Sequence, residues 1–155
     1  MKLFEIDLYK FHSNPETLHG YDRADEIVSE RIYDIAKSGK KLTDKQEDVI
    51  AKDPKYAFKY AINILKNSFL KGEDAIAKDP SYAYEYAISV LKKPFPKGED
   101  LIAKYAGYAY YYAYNVLKKP WPKGEDAIAK DLYYAYEYAI KVLKLPKAEA
   151  RKWPK

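Results

Sequence analysis

From about residue 46 onward the apolar and polar positions fall into a pattern that returns every 26 residues. Gly72-Glu73-Asp74 recurs as Gly98-Glu99-Asp100 and as Gly124-Glu125-Asp126, and Gln46-Glu47-Asp48 keeps the same spacing. The four units read "QEDVIAKDPKYAFKYAINILKNSFLK", "GEDAIAKDPSYAYEYAISVLKKPFPK", "GEDLIAKYAGYAYYYAYNVLKKPWPK" and "GEDAIAKDLYYAYEYAIKVLKLPK". The last is two residues shorter and runs into "AEARKWPK", which reads as the start of a further unit that stops. Self-similarity at such a period is the signature of a repeat architecture.

Each unit divides into a short and a long helical segment. The short one has acids in its first turn, where the helix dipole favours negative charge. It ends at Asp53 or Asp79, each followed by Pro; Asp suits the N-cap and Pro the first position of the next helix. In the third unit Tyr105 replaces this Asp, the Pro is lost and Gly107 appears, so the hinge there is expected to differ. The long helix is expected to stop where "PFPK" or "PWPK" makes continuation unfavourable. On a helical wheel the second long segment, 81–92, has an apolar arc of about 240°. That is too wide for a helix packed on one side, and suits one touched by a neighbour before, a neighbour after and the short helix of its own unit. All units agree at Tyr56/82/108/134, Ala57/83/109/135, Tyr60/86/112/138 and Ala61/87/113/139. Alanines four apart leave a shallow groove in which the next helix can approach closely.

The N-terminal part is less regular and reads as a cap. "SNPETLHG" suggests a short helix ending at Gly20, and "DRADEIVSERIYDIAKSG" a longer one ending at Gly39. Thr43 and Gln46 form a capping-box pattern that opens the first unit. Residues 2–11 fit a strand (Phe4, Ile6, Leu8) or another short helix. The expectation is therefore an all-α protein: an α-solenoid of tandem short-helix/long-helix repeats with an N-terminal helical cap. The cap covers residues 1–45, the repeats 46–147, and a truncated repeat or tail 148–155.

Composition adds limits rather than chemistry. The chain has 155 residues, no Cys and 18 Tyr, so thiolate metal sites, disulfides and cysteine nucleophiles are excluded. No apolar run is long enough for a signal peptide or a membrane span, which points to a soluble, cytoplasmic protein. The formal charge of +5 is uneven: residues 46–155 carry twenty Lys or Arg against fourteen Asp or Glu. A basic array favours an acidic partner or a nucleic-acid backbone, yet only three arginines are present, Arg23, Arg31 and Arg151. Arginine is the usual choice for bidentate phosphate or guanine contacts.

Candidate sites are few. The Glu73/Glu99/Glu125 ladder, with its neighbouring aspartates, could bind cations or mimic a phosphate backbone; helix-dipole stabilisation and pairing with Lys71, Lys97 and Lys123 is the simpler role. Lysines 66, 92, 93, 118, 119 and 144 recur at the long-helix ends, where cations are favourable. His12, Glu16 and His19 have helical spacing but lie around "SNP", with no fourth ligand. No nucleophile–base pair and no glycine-rich phosphate loop is found, so no enzymatic activity and no cofactor are expected. The exposed arc of the long helices remains: Lys55/Ser81/Gly107/Tyr133, Lys59/Glu85/Tyr111/Glu137 and Asn63/Ser89/Asn115/Lys141. These positions vary while the packing positions stay fixed, as on a solenoid's binding surface. In the tyrosine-dense stretch "KYAGYAYYYAYNV", Tyr108, Tyr110, Tyr112 and Tyr114 read as core, and Tyr105 and Tyr111 as a contact surface. The expected partner-binding residues are Glu85, Tyr105, Tyr111, Asn115, Tyr133, Glu137 and Lys141.

"AIAKDPSYAYEYAISVLKKPFPKGED" resembles a short tandem repeat of uncharacterised phage-encoded proteins, over roughly residues 46–147. The "IAKDP" hinge is also similar, at the level of fold, to leucine-rich-variant and HEAT-like solenoids. The first resemblance implies a phage accessory protein that binds a host protein in the host cytoplasm, with inhibition of that protein as one form of the interaction. A nucleic-acid binder using the basic, Tyr-rich array and a self-associating assembly protein are the alternatives.

Overall fold

The capping aspartates, two of them followed by Pro and Asp131 by Leu132, do in space what their chemistry requires. Asp53 Oδ1 accepts from the Tyr56 N–H at 3.0 Å, Asp79 from Ser81 and Tyr82 at 2.9 and 3.0 Å, and Asp131 from Tyr133 and Tyr134 at 3.0 and 3.1 Å. The computed structural model describes the backbone of residues 18–154 and the side chains of residues 24–154, and among these every regular element is helical. Helix α1 (Leu18–Lys37) runs straight through Gly20, so the expected break there is absent, and it ends before Gly39 at φ +87. The choice between strand and helix for residues 2–11 lies outside the described residues.

Four short helices alternate with four long ones. The short helices are α2 (Asp44–Ile50), α4 (Glu73–Ile76, entered through a 3₁₀ turn at Leu70–Gly72), α6 (Pro96–Ile102) and α8 (Pro122–Ile128). The long ones begin as α3 (Pro54–Lys59), α5 (Pro80–Glu85), α7 (Ala106–Tyr111) and α9 (Leu132–Lys141). A final turn, α10 (Lys147–Ala150), packs on α9. At α2 the capping box is complete: the Thr43 hydroxyl accepts from Gln46 N, and Thr43 N donates to Gln46 Oε1 at 2.9 Å.

The first three long helices do not continue as α. After six residues each widens into a π-helical segment, Tyr60–Leu65, Tyr86–Leu91 and Tyr112–Leu117. Such i→i+5 segments are rare and mostly confined to a single turn. In the fourth unit α9 stays α over ten residues, and only its last turn widens, with Leu143 N donating to the Tyr138 carbonyl at 3.0 Å. Every long helix then closes on a left-handed lysine: Lys66, Lys92, Lys118 and Lys144, at φ 50, 53, 55 and 60.

The core is a line of repeated positions. Ala57, Ala61, Ala83, Ala87, Ala109 and Ala113 are completely buried, as are Ile50, Ile76, Ile102 and Ile128. Long helices of successive units touch one another, and each of α3, α5 and α7 also packs on the short helix that follows it. The closest approach is at the glycine that opens the short helix. A Cβ at Gly98 would lie 2.7 Å from the Ala83 Cβ and 2.9 Å from the Phe95 ring, and Gly72 and Gly124 are as confined.

One tyrosine per unit locks these layers. Tyr86, Tyr112 and Tyr138 are fully buried. The hydroxyl of Tyr112 accepts from Phe95 N at 2.8 Å and donates to Glu99 Oε1 at 2.9 Å. Tyr86 makes the same pair with Phe69 N and Glu73, and Tyr138 with Trp121 N and Glu125. Tyr60 donates to Glu47 at 3.0 Å. The glutamates of the acidic ladder are thus hydrogen-bond acceptors for buried phenols, and the adjoining acids pair with the lysine that closes the same unit, at the entrance to the next short helix. Lys71 meets Asp48 at 3.0 Å, Lys97 meets Asp74 at 2.8 Å and Lys123 meets Asp100 at 2.6 Å.

Candidate functional site: a tyrosine surface bordered by lysines

The tyrosines of α7 and its π-helical continuation divide into buried anchors and an exposed sheet of rings. Tyr112 is fully buried and Tyr110 is 3% exposed, whereas Tyr108 is half-buried. Tyr105, Tyr111 and Tyr114 are exposed, at 49%, 38% and 42%. Tyr114 therefore departs from the expected core position: the isoleucines of the other units there, Ile62, Ile88 and Ile140, are half-buried in π- and α-helical backbone alike, and the longer tyrosine reaches the surface. Tyr114 lies one turn beyond Tyr110 on the same side of the helix. Their rings stack, with centroids 5.9 Å apart and planes 10° from parallel.

The hinge at Tyr105 also departs from expectation. Its backbone, φ −118 and ψ 115, matches that of Asp79 and Asp131. What is lost is the side-chain cap, since Tyr105 makes no cap hydrogen bond. Gly107 serves packing instead: a Cβ there would come within 3.0 Å of the Tyr134 ring and hydroxyl.

From these residues a continuous aromatic surface extends over three units. Tyr105 meets Tyr108 at 6.3 Å, Tyr108 meets Tyr84 at 6.2 Å and Tyr84 meets Tyr111 at 6.3 Å. Tyr111 meets Tyr110 at 4.9 Å and Tyr134 at 6.0 Å, and Tyr134 meets Tyr133, which is 62% exposed, at 5.2 Å. Burial raises the hydroxyl pKa of Tyr84, Tyr110 and Tyr134 above the ordinary tyrosine value, so these phenols are neutral donors at physiological pH.

The other expected contact residues edge this surface. Asn115 Nδ2 donates to the Tyr84 hydroxyl at 2.9 Å. Lys141 pairs with the half-buried Glu137 at 2.6 Å and its Nζ lies 5.9 Å from the Tyr114 ring centre. The Glu137 hydrogen bond, followed by the nearby Tyr110 phenol, raises the Lys141 pKa. Glu85 is exposed beside Tyr84 and accepts from Ser89 Oγ at 3.4 Å. Tyr105, Tyr111 and Tyr133 are thus joined through shared ring neighbours, with Asn115 and Lys141 at one border and Glu85 at another. In the first unit the equivalent positions face the cap helix instead: Lys55 pairs with Glu26 at 2.7 Å, Lys59 lies 5.9 Å over Tyr33, and Asn63 donates to Tyr33 at 3.0 Å.

Beside the tyrosines run two hollows. One, of about 510 Å³, is lined by Ile88, Tyr114, Asn115, Lys118, Lys141 and Lys144. The other, of about 330 Å³, shares Ile88, Asn115 and Lys118 and adds Lys92. The left-handed lysines Lys92, Lys118 and Lys144 thus line one groove. Helix stability does not select lysine there. A left-handed non-glycine residue costs roughly 1–2 kcal/mol, glycine gives back roughly 0.5–1 kcal/mol of that in entropy, and a cation at a helix C-terminus contributes roughly 0.3–1 kcal/mol. The three terms nearly cancel.

Among the described residues no group of three or more His, Cys, Asp or Glu could hold a metal ion. The His12, Glu16 and His19 side chains lie outside them. No described helix is long and apolar enough to cross a membrane. No protein-family model matches the chain, and neither curated proteins nor solved structures yield a match.

Proposed function

We propose that this protein is a non-enzymatic binding module that engages a protein partner through its tyrosine surface. The observation that carries the reading is the run of exposed tyrosines from different units, Tyr105, Tyr111, Tyr114 and Tyr133, linked through ring contacts into one face. Tyrosine offers large, rigid, amphipathic contact area at low conformational-entropy cost, and is enriched at protein interfaces. The rings lie against one another, which favours contact through edges and hydroxyls over the open faces that base stacking uses. Under this reading the helical pairs stack as an α-solenoid, supported by the same inter-helix contacts recurring from unit to unit. The narrower reading, a phage accessory protein that binds a host protein, is supported by the sequence resemblance alone.

The test is affinity capture from a bacterial lysate with the parent and with a Tyr105→Ser/Tyr111→Ser/Tyr133→Ser variant whose circular dichroism matches the parent. A protein retained by the parent and lost from the variant is the expected result. If no captured protein depends on these tyrosines, the reading fails.

A further inference from the structure

We infer that the groove bordered by Lys92, Lys118 and Lys144 receives an extended acidic polypeptide segment of the same partner that contacts the tyrosine surface. This rests on the protein-binding reading above and gives the partner's chemistry.

Three observations converge on it. The first is charge left unused. On the edge formed by the short helices Lys71, Lys97 and Lys123 are each held by acids of the preceding short helix. Lys92, Lys118 and Lys144 are exposed and make no ion pair among the described residues, and neither do Lys93 and Lys119 beside them. The second is backbone conformation. The same non-glycine residue occupies the left-handed region at the end of every long helix, a position that glycine usually fills. The conformational, entropic and dipole terms nearly cancel there, so stability does not by itself account for lysine at every one of these positions. The third is shape. The two hollows share Ile88, Asn115 and Lys118, so they form one trough that passes the three lysines in turn and opens beside Tyr114.

The spacing of the lysines suits an extended chain. They are repeated once per long helix, and packed helices lie about 8–10 Å apart. A polyproline-II segment advances about 3.1 Å per residue with three residues per turn, so every third side chain returns to one side after about 9 Å. An acidic residue at each third position would meet one lysine per unit. Nucleic acid fits less well. The repeat units contain no arginine, the residue that dominates phosphate and base recognition, and the Tyr110–Tyr114 stack already occupies the ring faces nearest the trough.

The test uses the full chain and three fluorescein-labelled probes: (Glu-Pro-Pro)₅, (Lys-Pro-Pro)₅ and an oligothymidylate of equal charge to the first. The key variant is Lys92→Gly/Lys118→Gly/Lys144→Gly, in which glycine suits the left-handed positions, so its melting temperature should stay near that of the parent. A Lys52→Gln/Lys104→Gln variant controls for simple loss of charge at exposed sites. Fluorescence anisotropy should show the acidic probe binding the parent, at least tenfold weaker binding by the triple variant, and a change within twofold for the control. Absence of binding to the parent at low salt, or equal weakening in the control, would overturn the proposal. Tighter binding of the oligothymidylate than of the acidic peptide would overturn it in favour of nucleic acid. Partner capture that needs Tyr111 and Tyr133 but survives the triple substitution sinks the groove alone. Capture indifferent to the tyrosines sinks the protein-binding reading itself.

Discussion

Tyr112 shows how much one side chain can organise in this chain. Its ring packs on Trp121 at 5.0 Å, while its hydroxyl serves a backbone N–H of the preceding loop and the glutamate of its own short helix. Replacing it with Phe keeps the packing and leaves the buried Phe95 N–H without its acceptor. A buried donor left unsatisfied costs roughly 1–3 kcal/mol, so Tyr112→Phe should lower the urea midpoint by that equivalent with an unchanged m-value. The same tyrosines set an alkaline limit. Burial pushes the Tyr60 and Tyr86 hydroxyls up to about 12, and raises Tyr112 and Tyr138 too; the hydrogen-bonded glutamates push in the same direction. The unfolded chain ionises near 10. Below pH 10 both states hold the protons and stability is unaffected. Between pH 10 and 12 the unfolded state releases protons that the folded state keeps, so stability falls as pH rises. Denaturant titrations at pH 9, 10, 11 and 12 should show a flat midpoint up to about 10 and a steep decline above it. A midpoint that fell equally between 9 and 10 would show that these phenols are not the cause.

At the scale of the element, the α-helical half of each unit was legible and the π-helical half was not. The Asp-Pro junctions, the capping box at Thr43, the buried Ala-x-x-x-Ala positions and the buried second tyrosine of each Tyr-x-x-x-Tyr pair follow from local chemistry and a period of 3.6, whereas Tyr82, Tyr108 and Tyr134 are half-buried. The switch to i→i+5 bonding at Tyr60, Tyr86 and Tyr112 has no such marker, and the exposure of Tyr114 follows from a side chain longer than the isoleucine the other units carry there. The glycines were legible as a repeat but not as a contact. Their reason appears only when the aromatic before each short helix and the alanine of the long helix close on the same point. Gly107 was read as a hinge and turns out to clear space for Tyr134. Of the candidate surface, Tyr105 and Tyr111 stood out because they break the pattern of their sister units; the ring network that joins them to Tyr133 spans units and could not be read from one. The glycine contact gives a further prediction. In Gly98→Ala the new methyl would stand 2.7 Å from Ala83 Cβ, and neither partner is a flexible chain end. Overpacking of this kind costs roughly 1–3 kcal/mol. Calorimetry should show a lowered transition temperature for Gly98→Ala, whereas Gly39→Ala, strained by its φ but facing open space, leaves the inter-unit contact intact.

For the whole molecule, the first and fourth units differ from the middle two in what packs against them. At the N-terminal side α1 stands in for a preceding unit: Tyr33 packs on Tyr56 at 5.8 Å and accepts from Asn63 as Tyr84 accepts from Asn115. At the C-terminal side the fourth unit lacks the aromatic that follows the others. Phe69, Phe95 and Trp121 lie 5.1, 5.1 and 5.0 Å from Tyr60, Tyr86 and Tyr112, but the loop after α9 reads "KLPK". Trp153 takes the vacant place, its ring centre 5.2 Å from that of Tyr138, after the turn of α10 has brought the chain back. The two-residue deletion and "KWPK" thus act together, placing a displaced aromatic where Phe or Trp stands in the other units. Because Trp153 is only half-buried, Trp153→Ala should cost roughly 2 kcal/mol, the scale of burying one large apolar side chain. If stability passes mainly between neighbouring units, hydrogen exchange should accelerate first in α9 and the residues up to Leu143, with α3 and α5 protected as in the parent. Uniform loss of protection from α1 to α10 would mean that the units melt as one block, and that the nearest-neighbour stack proposed for this chain is the wrong description of how it holds together.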